Sequence, residues 1–131
     1  MVSARWNLWA VLCAALAIAY PMQGGTEPTL GGIEASVRRL EVQLEQARFR
    51  AVALEAPALR SRALALPPST ATRRLLVCTE IAAATAAIAL RQDGNAQVYL
   101  QRALQLDPGL TLATGAAPKL RRTLESLRGL I

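Results

Sequence analysis

The sequence contains no histidine, a single lysine (Lys119) and two cysteines, and aromatic residues make up only 4% of it. Without histidine, the chain cannot build histidine-based catalytic triads, histidine general bases or the usual zinc sites. It also lacks a glycine-rich phosphate loop before a helix, and its acidic residues are mostly matched to arginines rather than paired in an apolar setting. We therefore expect no enzymatic activity, no catalytic or metal-ligating residues, no cofactor and no small-molecule substrate.

The abundant residues favour an all-α fold. Apolar residues make up 53% of the chain and charged residues 18%, which excludes a wholly disordered polypeptide. Alanine and leucine dominate while β-branched residues are sparse, so the composition favours helices that pack closely through small side chains. A length of 131 residues allows one ordinary domain.

The formal charge of +6 is carried almost entirely by arginine. A basic chain suggests an anionic partner, such as nucleic acid, phospholipid headgroups or an acidic protein face. The arginines occur in separated pairs interleaved with glutamates, a pattern typical of solvated helix faces, and no aromatic residues are interleaved for base stacking. Nucleic acid is therefore the least favoured of these partners.

The N-terminal sequence MVSARWNLWAVLCAALAIAYPMQGG has the plan of a signal peptide. Arg5 is its only charged side chain, and the apolar run from Leu8 to Tyr20 is shorter than the roughly 20 residues of a spanning helix. Ala17-Ile18-Ala19 supplies a small-x-small cleavage pattern, so we expect residues 1–19 to be removed from a periplasmic or secreted protein. The alternative is an uncleaved inner-membrane anchor that contacts the membrane through residues 6–22.

Cleavage would leave Cys78 as the only cysteine, which excludes an intramolecular disulfide in the mature chain. Its sequence neighbours are apolar, so we expect a buried thiol that behaves as a small hydrophobic side chain. A reactive thiol is the alternative.

Residues 20–32 are rich in glycine and proline and lack apolar periodicity, which predicts a flexible linker before a single helical domain at 33–131. Pro57 is predicted to end or kink the first helix of this domain, at 33–55. That helix is predicted because apolar residues recur at spacings of four and three: Ile33, Val37, Leu40, Leu44, Ala47, Ala51 and Leu54.

The next predicted helix is the most apolar one, and either Ser69 or Thr70 can cap it. Residues 81–90 contain no charged side chain on any face of this helix, so we expect the helix to lie at the centre of the domain. A tight turn at Asp93-Gly94-Asn95 should follow, with Gly94 in the left-handed conformation and Asn95 as the cap of the next helix.

Two further helices are predicted from proline positions. The first ends at Asp107-Pro108-Gly109, because proline cannot continue a helix and restricts the residue before it. The second begins at Pro118, where proline suits the first helical turn. Its predicted inward residues are Leu120, Leu124, Leu127 and Ile131.

The penultimate helix resembles the second helix of a tetratricopeptide repeat (TPR). Four residues carry this resemblance: a small residue, a large apolar residue four positions later, alanine three after that and proline five further on. They are Ala96, Leu100, Ala103 and Pro108. The resemblance covers residues 72–128 and implies an antiparallel helical hairpin flanked by additional amphipathic helices, in which each helix pair buries its apolar face against its neighbours.

The resemblance implies an exported or envelope-associated scaffold that binds another protein. Exposed arginines would select an acidic segment of the partner, and the candidates are Arg73, Arg74, Arg91 and Arg102. Two alternatives remain open, a membrane-anchored helical subunit of an envelope complex and, less favoured, a basic nucleic-acid-binding protein.

Overall fold

The computed structural model describes residues 28–130, and the predicted signal peptide or anchor lies outside this part, as do most of the predicted linker and Ile131. Five α-helices and no strand occupy the described residues, so the all-α prediction is confirmed. They are α1 (Leu30–Glu45), α2 (Phe49–Leu64), α3 (Thr70–Ala89), α4 (Asp93–Leu106) and α5 (Pro118–Leu130). None of these helices combines the length and the apolar character that a membrane crossing requires.

The prediction of a single helix over 33–55 is wrong, because the chain reverses direction between α1 and α2. Helix α1 begins at Leu30, within the predicted linker, and Thr29 caps it by accepting a hydrogen bond from the Gly32 amide. At its other end Ala47 has a φ of 59°, and the amides of Ala47 and Arg48 donate to the carbonyls of Leu44 and Gln43. This is a Schellman turn, in which alanine occupies the position that usually holds glycine.

Pro57 neither ends a helix nor separates two segments, since α2 continues through it to Leu64. Because the chain reverses at Ala47, the residues of α2 that face inward differ from those expected of one continuous helix over 33–55. Leu54, predicted to be part of the apolar stripe, is 80% exposed, whereas Val52, Ala56 and Leu59 are buried. Proline is tolerated here although it removes one backbone hydrogen bond.

Helix α3 is the central helix, as predicted, and packs against all four others. The Ser69 hydroxyl caps it by accepting from the Thr72 amide. Alanines at 82, 83, 84, 86 and 87 are all buried, and their small side chains let the neighbouring helices approach closely. One apolar cluster joins α3 to α1 and α2, and a second joins α3 to α4 and α5.

The turn between α3 and α4 lies earlier than predicted. Arg91, and not Gly94, has the left-handed conformation, with a φ of 62°. The Gln92 amide donates to the Ala87 carbonyl and the Arg91 amide to that of Ile88, so this is a second Schellman turn. Gly94 and Asn95 already belong to α4, which has no side-chain cap. Ala96, Leu100, Ala103 and Leu104 are buried as predicted.

Helix α4 ends at Leu106 and the Asp-Pro-Gly turn follows, as predicted. The Asp107 carboxylate accepts a hydrogen bond from the Gly109 amide, and the Asp107 carbonyl accepts one from the Leu110 amide. This turn buries Leu110 and directs the chain towards α5, whose Leu120, Leu124 and Leu127 face the core.

Candidate functional site

The first candidate site is a groove of about 480 Å³ between α1, α3 and α5, which we call the apolar groove. One wall is α1, the floor is α3, and the far wall is the loop that leads into α5. Its lining residues are mostly apolar or small, and they include Leu44, Cys78, Ile81, Ala82, Thr85, Leu112, Ala116, Ala117 and Leu120.

Arginines of α5 hold the loop wall of the apolar groove in place. The Arg121 guanidinium donates to the carbonyls of Ala113 and Thr114, at 2.6 Å each. Arg128 donates to the Leu110 carbonyl. These bonds pair backbone carbonyls of the loop, of which that of Ala113 also accepts from the Ala116 amide, so the wall is a supported part of the fold.

Charges of both signs lie beside the apolar groove. Glu41 and Glu45 of α1 line its edge. At the N-terminal end of α3, a smaller cavity of about 350 Å³ shares Cys78 with the groove. Its charged lining residues are Arg73, Arg74 and Asp107. A ligand that lies along α3 from the groove towards the N-terminal end of the helix would therefore contact apolar side chains and then a cavity with two guanidinium groups and one carboxylate.

Cys78 is half-buried in the apolar groove and forms no disulfide within the described residues. Burial raises the pKa of its thiol above the ordinary value, and the charge of Glu41 adds to this effect while that of Arg74 opposes it. A raised thiol pKa lowers the fraction of nucleophilic thiolate at neutral pH, which favours a packing role for this side chain.

The structure does not bring the four predicted arginines together. Arg73 and Arg74 are exposed at one end of α3, and Arg91 follows its other end, about 27 Å away at the rise of an α-helix. Arg102 projects from α4 towards the opposite face of α3. Three of the repeat-signature residues, Ala96, Leu100 and Ala103, are fully buried in α4, and Pro108 lies exposed in the turn.

The second candidate site, which we call the Glu80 groove, lies on this opposite face of α3 and has a volume of about 330 Å³. Its sides are α2 and α4, whose Cα atoms all remain more than 8 Å apart. Glu80 of α3 forms the floor and is only 2% exposed. Arg60 of α2 donates from Nε to Glu80 Oε2 at 2.8 Å, and Arg102 Nη1 lies 4.0 Å from Oε1.

Two opposing effects act on the buried carboxyl. Burial raises the pKa of Glu80 above its ordinary value, because removal from water disfavours the charged form. The hydrogen bond and charge of Arg60 act in the other direction, as does the charge of Arg102. Burial is the larger effect, so the pKa is raised on balance.

Sequence reasoning missed Arg60 and Glu80 as site residues. They are separated by 20 positions and lie on different helices, and their pairing depends on how α2 is rotated against α3. The only hint in the sequence is that Glu80 interrupts the most apolar helix, where an isolated carboxylate needs a partner. Within residues 28–130, no group of three or more potential ligand residues is placed to hold a metal ion.

Comparisons with known proteins give no relative for this chain: no family model matches it, and neither a curated protein nor a solved structure shows significant similarity to it.

Proposed function

We propose that this protein is an exported helical scaffold of TPR-like architecture that binds a segment of another protein in the apolar groove. The observation that carries the proposal is the groove itself, which is apolar, bounded by a loop held by two arginines and flanked by charges. Ligand sites commonly combine such an apolar lining with a few charged or polar groups that fix orientation. The proposal includes no catalytic activity.

The order of helix packing supports the TPR-like description. Helix α3 packs on both members of the preceding pair, α1 and α2, and α5 packs on both α3 and α4. In stacked helical repeats each new helix similarly buries its apolar face against the preceding pair. The first helices of successive pairs, α1, α3 and α5, are the ones that line the apolar groove.

The charges beside the groove suggest what the partner segment contains. Apolar side chains would fill the space above Ile81 and Leu44, and an acidic side chain would reach Arg73 or Arg74 at the end of α3. Glu41 and Glu45 would repel an acidic residue placed along α1, so the charge pattern favours one direction of binding. Of the four candidate arginines, Arg73 and Arg74 are thus the ones proposed to contact this segment.

Site-specific photocrosslinking in the cells that make the protein tests this binding. A photoreactive residue at Thr85, in the apolar groove, should give a discrete adduct that is absent when the residue is placed at exposed Arg62 on α2. Arg74→Glu should lower the Thr85 adduct yield, whereas Arg39→Glu on exposed α1 should not. Equal adducts from Thr85 and Arg62 would contradict the proposal.

The proposed location is the periplasm or the cell exterior, and the alternative is a subunit anchored in the inner membrane. The apolar run at residues 8–20 is the observation behind both. The intact mass of C-terminally tagged protein from fractionated cells distinguishes them. A periplasmic species lacking residues 1–19 supports export, and a full-length species in the membrane fraction supports the anchor.

A further inference from the structure

The Glu80 groove contains guanidinium groups with unused hydrogen-bond donors. Within residues 28–130, Arg60 uses only its Nε on Glu80, and Arg102 makes no hydrogen bond. Both side chains are partly buried, with exposures of 34% and 39%. A guanidinium carries five N–H donors in a fixed fork that matches an oxyanion. Several guanidinium donors at the lining of the Glu80 groove therefore remain unused by the Glu80 carboxylate.

The charges in the Glu80 groove do not cancel. Its charged lining residues are Arg60, Arg102 and Glu80, so two positive charges face one negative charge and one positive charge remains. The Glu80 carboxylate, which forms the floor, holds Arg60 by a hydrogen bond and attracts Arg102 across 4.0 Å. Arg102 is further oriented by Tyr99, whose ring centroid lies 5.9 Å from the guanidinium carbon.

The position of the two arginines on separate helices adds a structural consequence. Because the Cα atoms of α2 and α4 remain more than 8 Å apart, a groove opens between the two helices, and its volume of about 330 Å³ is at the lower end for ligand sites. A ligand that contacts Arg60 and Arg102 together would bridge these two helices.

We propose that the Glu80 groove binds a small oxyanion, a carboxylate or phosphate group, between Arg60 of α2 and Arg102 of α4. The anion neutralises the remaining positive charge and accepts hydrogen bonds from guanidinium donors that Glu80 does not use. The site lies on the face of α3 opposite the apolar groove, so it does not depend on the proposed function.

Side-chain NMR of the arginine Nε–Hε groups tests this site with three probes at constant ionic strength: sodium acetate, sodium phosphate and sodium chloride. Acetate or phosphate should shift the Arg60 and Arg102 resonances saturably, with a dissociation constant on the order of 1 mM. Binding by acetate alone identifies a carboxylate ligand, and binding by phosphate alone identifies a phosphate ester. Chloride should give no saturable shift.

Arg102→Gln is the test variant, because Arg102 makes no hydrogen bond to Glu80 and its loss should leave the fold intact. It should weaken binding by about tenfold or more, since a charge-assisted hydrogen bond is lost. Arg102→Lys keeps the charge but loses the fork and should bind with intermediate affinity. Arg62→Gln, an exposed position of α2 outside the groove, should bind like wild type.

Two results would overturn the proposal. One is a linear shift of all arginine resonances with every salt, which is general screening rather than binding. The other is equal anion affinity in wild type and Arg102→Gln. If the glutamine variant does not fold, equal anion affinity in wild type and Arg102→Lys is the contradicting result.

Discussion

Removal of the Arg60 guanidinium should destabilise the protein through the carboxylate it leaves behind. Glu80 is 2% exposed, and its Oε2 accepts the Arg60 Nε hydrogen bond at 2.8 Å. In Arg60→Gln the carboxylate would stay buried, with Arg102 at 4.0 Å as its remaining cation. A buried charge that loses its partner is costly because neither water nor a counterion compensates it.

The magnitude follows from the burial of both partners. Breaking a fully buried ion pair costs about 3 to 5 kcal/mol. Arg60 is 34% exposed and Arg102 remains nearby, so we expect a smaller loss of about 2 kcal/mol in the free energy of unfolding. Glu80→Gln should cost less than Arg60→Gln, because water can solvate a partly exposed arginine but not the buried carboxylate. The double variant should resemble Glu80→Gln.

The loss should also depend on pH. Burial raises the folded-state pKa of Glu80 above the unfolded value, so its contribution to stability is fully present below the unfolded pKa and declines as pH rises through the folded pKa. Arg60→Gln removes the main influence that lowers this pKa and raises it further. The variant should therefore be most destabilised at neutral pH and approach wild type as the pH falls and Glu80 becomes protonated.

Urea unfolding followed by circular dichroism, at neutral and acidic pH, measures these differences. The matched control is the exposed pair of Lys119 and Asp93, which has the same 2.8 Å separation but side-chain exposures of 48% and 55%. Lys119→Gln should cost at most about 0.5 kcal/mol. If Arg60→Gln costs no more than Lys119→Gln, or if its cost does not change with pH, the account of Glu80 as a buried, paired carboxylate is refuted.

Three further predictions concern the fold and the apolar groove. Ala47→Gly should stabilise the protein by about 1 kcal/mol in the same urea assay, because Ala47 has a φ of 59°, a left-handed conformation that is strained for alanine but not for glycine. The control, Ala35→Gly at an exposed position in the middle of α1, should destabilise the protein by about 1 kcal/mol. Ala103→Glu should abolish cooperative thermal melting, because Ala103 is fully buried where α4 packs against its neighbours. The control, Gln97→Glu at an exposed position of α4, should melt like wild type. A cooperative transition of Ala103→Glu would show that the assigned packing face of α4 is wrong. Glu41→Gln should speed alkylation of Cys78 at mildly alkaline pH, because it removes a charge that raises the thiol pKa, and an unchanged rate would contradict that influence.

Helices α3, α4 and α5 were predictable because one end of each has a local chemical cause, whereas the turn between α3 and α4 was placed too late. Ser69 caps α3, the Asp-Pro-Gly turn ends α4 and Pro118 begins α5, and each acts through its own backbone or side chain. The buried face of α4 followed from helical periodicity at Ala96, Leu100 and Ala103.

The break between α1 and α2 was not predictable in the same way. Alanine fits equally well inside a helix, so Ala47 gives no local indication of a left-handed turn. The spacing of apolar residues also happens to continue across the break, which made two helices resemble one. The same reasoning placed Leu54 in the core, although α2 turns that side chain to solvent.

The candidate sites depended on tertiary structure even more strongly. Periodicity predicts which face of a helix is buried, but not which charged residues of three helices meet. Arg60, Glu80 and Arg102 come together only through the packing of α2 and α4 on α3. The apolar groove likewise required the loop before α5, whose position is set by hydrogen bonds from Arg121 and Arg128.

The most direct test of the proposed scaffold role is the accessibility of Cys78 inside intact cells. Cys78 lines the apolar groove, and its alkylation by a permeant maleimide can be measured on its own peptide by mass spectrometry. Ser126→Cys, at an exposed position of α5, provides the control in a Cys78→Ser background. If a partner occupies the groove, Cys78 should react more slowly in cells than in the purified protein, while residue 126 of the control variant reacts equally in both. Equal Cys78 rates in cells and in the purified protein would contradict the account.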